Sequence, residues 1–196
     1  MAGGWGVGGD ALAWLCGLER AVFMALDEPD FLAQLLEVIE RWNRPRMEAF
    51  LEFGVDLFVR RAWYEGTDFW SPALFRRFFY PVIAREVRLV HDAGARYGYI
   101  LTSGSAPLHG MLVELGIDVL IGPDPVQGKG TDLRRMRADL GGRVATWGGV
   151  NGFITLERGS RDEIDAAVRA ALESLGPDGF VLSPVDNVRD PSDEVW

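Results

Sequence analysis

A parallel α/β fold follows from three features of the 196-residue sequence. Short apolar runs recur along the chain. Each is followed by a loop and then by an amphipathic stretch at helical spacing. The runs also lack the polar alternation of a sheet that faces water on one side. Repeated βα units of this kind build a parallel sheet with right-handed crossovers. At this length, with 48% hydrophobic residues, the chain holds one sizeable core, and the expectation is a single domain over residues 1–196.

The opening MAGGWGVGGD is rich in glycine and leads into a first helix over 11–26, whose apolar side chains recur at three- and four-residue spacings, the pattern of a mostly buried helix. Pro29, a good first-turn residue, starts a second helix. Pro45 interrupts its pattern, which then resumes, so one kinked helix and two nearly collinear ones are both open.

From there the units alternate. VDLFVRRAW (55–63) precedes a helix that Ser71 can cap and Pro72 can start, with a period continuing past Pro81. YGYILTS (97–103), DVLIGPD (118–124) and RVATWGG (143–149) are each followed by a helical pattern, and GFVLSPVD (179–186) comes last. A helix covering that strand should begin near DPSDEVW. Five strands suit either an open doubly wound sheet or part of an eight-stranded barrel, and periodicity alone does not separate them.

Composition narrows the function classes. A net charge of -9 repels a phosphate backbone, and no basic run interleaved with aromatics overrides that locally, so nucleic acid is not an expected partner. No apolar stretch reaches the about 20 residues of a membrane span, and the first residues lack the parts of a secretory signal, which points to a cytoplasmic protein. The single cysteine, Cys16, has no partner for a disulfide, and no His/Cys pair stands at metal spacing; neither a metal nor another cofactor is expected. His91 and His109 fall on helices, away from strand ends.

In either parallel architecture the ligand site lies past the C-terminal ends of the strands. After the first strand, Trp63 and Tyr64 offer flat faces and Glu65 and Asp68 offer carboxylates, a pocket wall or an ordinary aromatic loop. Thr102 and Ser103 place small hydroxyls before a helix start at which Ser105 is the natural cap. Asp124 sits between two prolines, either ending its strand or holding a carboxylate toward the axis. Trp147 and Asn151 flank a glycine pair that allows close approach of a ligand but is no nucleotide fingerprint. Asp186 and Asn187 follow the last apolar run, as a site pair or an Asx-turn. Arg60 and Arg61 can supply positive charge to an anion or serve in ion pairing.

The order and spacing of WSPALFRRFFYPVI, HDAGARYGYILTSG, LVELGIDVL, WGGVNG with LERGSRDEIDAAV, and DGFVLSPVDNVRD resemble the uroporphyrinogen decarboxylase superfamily from about Leu26 to the end. The resemblance implies a TIM-type (β/α)8 barrel, incomplete here, with five to six strands present and the first ones lacking. It implies a cytoplasmic lyase of the porphyrin-biosynthesis type: cofactor-independent decarboxylation of a tetrapyrrole-like or other small anionic substrate. Tyr64, Asp124 and Asp186 would then be catalytic, and Trp63, Glu65, Asp68, Thr102, Ser103, Trp147, Asn151 and Asn187 would bind substrate. The family's late histidine falls on or near Asp186. Other members are zinc-dependent methyltransferases serving corrinoid proteins, marked by His-x-Cys-Gly after the strand that here ends in LTSGS and by a cysteine near the last strand. Leu101, Thr102, Ser103 and Gly104 stand at the first place and Val185 and Asp186 at the second, so the thiolates are not there. A third reading is a non-catalytic fragment or binding module whose open strand edges a homodimer partner covers.

Overall fold

Each apolar run becomes a parallel strand, and one further strand precedes them. The computed structural model describes residues 1–127 and 131–189. Its strands are β1 (Ala2–Val7), β2 (Leu57–Arg61), β3 (Arg96–Ile100), β4 (Val119–Ile121), β5 (Ala145–Asn151) and β6 (Phe180–Val185). They form one sheet in the order β1-β2-β3-β4-β5-β6, every neighbouring pair parallel. The helices are α1 (Gly9–Cys16), α2 (Leu18–Asp27), α3 (Pro29–Glu52), α4 (Pro72–Phe78), α5 (Tyr80–Asp92), α6 (His109–Leu115), α7 (Leu133–Leu140) and α8 (Arg161–Leu175). Among the described residues β1 and β6 do not pair with each other, so the sheet is an open part of a barrel.

Four local expectations need correction. The glycine-rich opening is strand β1, a conformation its small residues conceal because they bring no β-branched bulk to the pattern. Residues 11–26 are two helices, broken at Gly17, whose φ of 79° lies in the left-handed region that glycine adopts without strain. That stretch is also less buried than its period implies, since Trp14, Leu15, Phe23 and Leu26 are exposed. The long pattern after Ser71 divides at Phe79, because Pro81 has no N–H to carry the helix ladder through. Pro45, in contrast, lies inside a single helix, α3. Ser71 does cap α4, accepting from the Leu74 N–H at 3.2 Å. The helix expected near DPSDEVW lies outside the described residues.

Strand alternation sorts the side chains onto two faces. Phe58, Arg60, Tyr97, Tyr99, Leu120 and Thr146 are in register across the sheet and buried beneath the helices. Arg61, Ile100, Ile121 and Trp147 form the matching row on the concave face, where the open sheet leaves them half-buried.

The helix-facing row carries an ion cluster. Arg60, 0% exposed, donates from Nη1 to both Glu86 oxygens at 2.7 Å and from Nη2 to Glu65 Oε1 at 2.6 Å. Tyr97 and Tyr99 donate their hydroxyls to Glu86 and Glu65, each at 2.6 Å, and the Gly9 N–H donates to Glu65 at 2.7 Å. Burial alone would lower the Arg60 pKa, but Glu65 and Glu86 override it and hold the guanidinium well above its ordinary value. Burial likewise raises the Glu86 carboxyl, a shift that Arg60 only partly offsets. The cluster explains Gly8, where a Cβ would fall on Arg60 Nη2 and Glu65 Oε1. Thus one guanidinium ties β2 to α5, to the loop after β2 and to the start of α1.

Removing one partner of such a pair leaves the others charged and buried. Arg60→Met is expected to cost about 3–5 kcal/mol in urea unfolding. A loss below about 1 kcal/mol, the range of an exposed pair, would contradict this account.

Candidate functional site at the strand ends

The loops after the six strands gather along one rim in two clusters. The first is built on β1, β2 and β3. β2 ends in Arg61, whose Nε donates to Asp10 Oδ1 at 2.6 Å, while the Tyr64 N–H approaches Asp10 Oδ2 at 3.4 Å. Asp10 follows β1 and is 0% exposed. Burial, reinforced by the Glu65 charge, raises its carboxyl above the ordinary range even though Arg61 pulls the other way. The Arg61 guanidinium lies 3.9 Å from the Trp63 ring centre, with Trp14 at 5.0 Å and Trp5 at 5.7 Å. Tyr64 is half-buried against Phe69, and its carbonyl accepts from Trp70 Nε1 at 2.7 Å.

The loop after β2 is fastened to that after β3. Thr67 donates twice to the Gly104 carbonyl, through Oγ1 at 2.8 Å and N–H at 3.0 Å. Gly66 packs so closely that a Cβ would meet the Ser103 carbonyl at 2.6 Å. This holds Thr102 and Ser103, both half-buried, beside the first cluster. Asp68 is exposed at its edge.

The second cluster is built on β4, β5 and β6. Asp124, buried, accepts from the Val126 and Gln127 N–H groups at 2.8 and 3.0 Å and from Asn151 Nδ2 at 2.6 Å. Asn151 in turn caps the single π-helical turn Gly152–Leu156, accepting from Ile154 N–H at 2.5 Å. A cleft of about 200 Å³ opens here, lined by Gln127, Asn151, Phe153, Asp186, Asn187 and Arg189 among others. Asp186 is exposed with φ of 65°, and the Asn187 N–H donates to its Oδ1 at 2.8 Å, so the local turn and the cleft wall are one feature.

The expected residues therefore separate. Trp63, Tyr64, Thr102 and Ser103 are brought together at one end of the rim, and Asp124, Asn151, Asp186 and Asn187 at the other. Trp147 lies between, within β5 on the concave face. Glu65 faces the helices, with both oxygens taken by Arg60, Gly9 and Tyr99. Ser105 is no cap: its hydroxyl lies 3.2 Å from His109 Nε2, and His109 Nδ1 lies 2.9 Å from Asp139. Ser105 and His109, at the start of α6, are buried, 3% and 2% exposed, while Asp139 on α7 is exposed. Two residues were missed, Asp10 and the specific role of Arg61. For Arg61 the readable signal was the strand period, an arginine closing an apolar run, whereas Asp10 follows the glycine-rich β1 and carried no such signal.

The fold and rim define this chain as a partial parallel β/α barrel with its polar residues at the strand ends. It belongs to the uroporphyrinogen decarboxylase (URO-D) family, whose model matches residues 10–185. Among solved structures it is similar to a methyltransferase from Methanosarcina mazei, with a TM-score of 0.76 and 21% identity. The match covers 96% of this chain and 53% of that one, so this chain spans about half the length of that methyltransferase. No curated protein matches. Among the described residues no group of three His, Cys, Asp or Glu could hold a metal ion, and no helix is long and apolar enough to cross a membrane.

The Asp10 shift has a defined pH signature. Its folded pKa lies above the ordinary 3.8, so its contribution to stability is full below 3.8 and is lost as pH rises through the folded value. Asp10→Asn removes that loss. Unfolding across pH should show the variant gaining on the parent as pH increases from 3.8, whereas a pH-independent difference would contradict the shift.

Proposed function

We propose that the chain is the greater part of a decarboxylase-type barrel acting on a small anionic or tetrapyrrole-like substrate. The observation that carries this reading is the cleft after β5 and β6, where Asp186 and Asn187 face solvent beside a buried, immobilised Asp124–Asn151 pair. Among the described residues the Asp124 carboxylate accepts from two N–H groups of its own loop and from the Asn151 amide, so it acts as a positioning residue that holds Asn151. Asp186 is the group free to reach a substrate. In the reaction, the carbon–carboxylate bond breaks, CO2 leaves, and the electron pair stays on carbon. A proton from Asp186 or Tyr64 then forms the new C–H bond, and solvent returns the proton to the side chain.

Zinc-dependent methyl transfer fits the donor set poorly. Cys16 lies in α1, where its thiol donates to the Leu12 carbonyl, while His91 and His109 are engaged by Asp118 and Asp139 at 2.7 and 2.9 Å. These residues are not grouped, and no step is derived through a metal.

Incubation with uroporphyrinogen should release CO2 stepwise, and Asp186→Asn should slow release by about 10²–10⁴-fold. Absence of CO2 from folded protein would reject the reaction.

We further propose that additional strands close the barrel between β1 and β6, consistent with exposed Trp5 and Trp14 at one edge and Val181 and Leu182 at the other. The 196-residue chain alone should then self-associate, as a homodimer or larger species in light scattering. A monodisperse monomer with cooperative unfolding would count against open apolar edges.

A further inference from the structure

Arg60 and Arg61 are adjacent in sequence and differ in how their donors are used. Arg60 spends both Nη groups and Nε on two carboxylates. The surface arginines Arg76 and Arg85 each grip one carboxylate through two nitrogens. Arg61 bonds through Nε alone, and among the described residues its Nη groups have no hydrogen-bond partner. Its side chain is 19% exposed, so these nitrogens are neither sealed in the core nor loose in water.

The surroundings fix it in that state. Asp10 holds the Nε edge from below, and the Trp63 face lies 3.9 Å away. Trp63 itself presents a second idle donor: its Nε1–H is buried and has no partner. Stacking and one ion pair would account for a stabilising arginine. They do not account for a guanidinium held rigidly by one edge at a strand end, on the concave face, with the fork that matches a carboxylate left open.

We propose that Arg61 is the carboxylate receptor of the strand-end site, binding one carboxylate of a small organic acid through its two Nη groups, with Asp10 and Trp63 positioning it. This rests on reading the rim as the ligand site, and it names the part of the substrate that the rim recognises.

Benzoate is a suitable probe, with neutral benzamide as its isosteric control. Trp5, Trp14 and Trp63 surround Arg61, so binding to the 196-residue chain is read as a saturable change in tryptophan emission. Benzoate should bind and benzamide should not, and Arg61→Met should weaken benzoate by about tenfold or more. Equal affinity of Arg61→Met and parent, or no benzoate binding by the folded parent, would overturn the proposal. Inorganic phosphate binding as tightly as benzoate would overturn the carboxylate assignment. If Arg61→Met loses cooperative unfolding, Arg61→Lys is read instead: lysine keeps the charge without the fork, so a drop of about threefold or more is expected, and unchanged affinity overturns the proposal. The readout is independent of turnover. Arg61-dependent benzoate binding without CO2 release from uroporphyrinogen rejects decarboxylation alone, while CO2 release with Arg61-independent benzoate binding rejects this assignment alone.

Discussion

A guanidinium buried to 0% exposure between two carboxylates constrains much of this molecule. Taking three charges out of water is costly, and the arrangement persists only because nearly every donor and acceptor finds a partner. Arg60 comes from β2, Glu86 from α5 and Glu65 from the loop after β2, while Tyr97 and Tyr99 come from β3. The Gly9 N–H completes the set from the start of α1. No one of these segments can move without stranding a charge, so the first three strand ends are held in fixed relation by electrostatics as well as by packing.

The pleat then makes this rigidity useful. Successive side chains on a strand face opposite ways, so burying Arg60 under α5 directs Arg61 to the concave face. Arg61 inherits its position from its neighbour, and Asp10 inherits its own from Gly9, whose N–H is bound by Glu65. The same logic recurs across the sheet, where buried Leu120 and Thr146 alternate with half-buried Ile121 and Trp147. A structural row and a ligand-facing row are therefore one pattern read at two phases.

That pattern was partly legible in the sequence. Five strands announced themselves because Val, Leu and Ile runs have a composition that helices rarely share at that length. β1 was hidden because glycines carry no hydrophobic signal; Gly8 is required by the ion pair pressed against it, a tertiary fact with no local trace. The roles at the rim were harder to read. Glu65 and Asp124 are both acids directly after strands, yet one is absorbed by Arg60 and the other by Asn151, 27 positions away. Only the distant partner decides which carboxylate is structural, and spacing along the chain does not encode it. Ser105 shows the same limit: a cap by local rules, it turns to His109 instead because Asp139 orients that ring.

The two clusters also differ in kind, which bears on how the rim would work as one site. At the β4–β6 end, Asp124 and Asn151 are saturated by backbone and by each other, so this end offers a rigid wall with Asp186 exposed beside it. At the β1–β3 end, donors are left over: Arg61 has open nitrogens and Trp63 an idle N–H, while Asp10 is engaged by Arg61 and its carboxyl is raised by burial. Unsatisfied polar groups in a partly closed site are costly to maintain and are relieved when a complementary ligand arrives. An anion seated at Arg61 would engage its open nitrogens, and the remainder of a flat substrate would extend along the concave row, past Ile100 and Ile121, toward Trp147 and the Asp186 cleft. On this geometry recognition at Arg61 and proton transfer from Asp186 would occupy opposite ends of the rim, joined by the apolar row between them, whereas proton transfer from Tyr64 would take place beside Arg61.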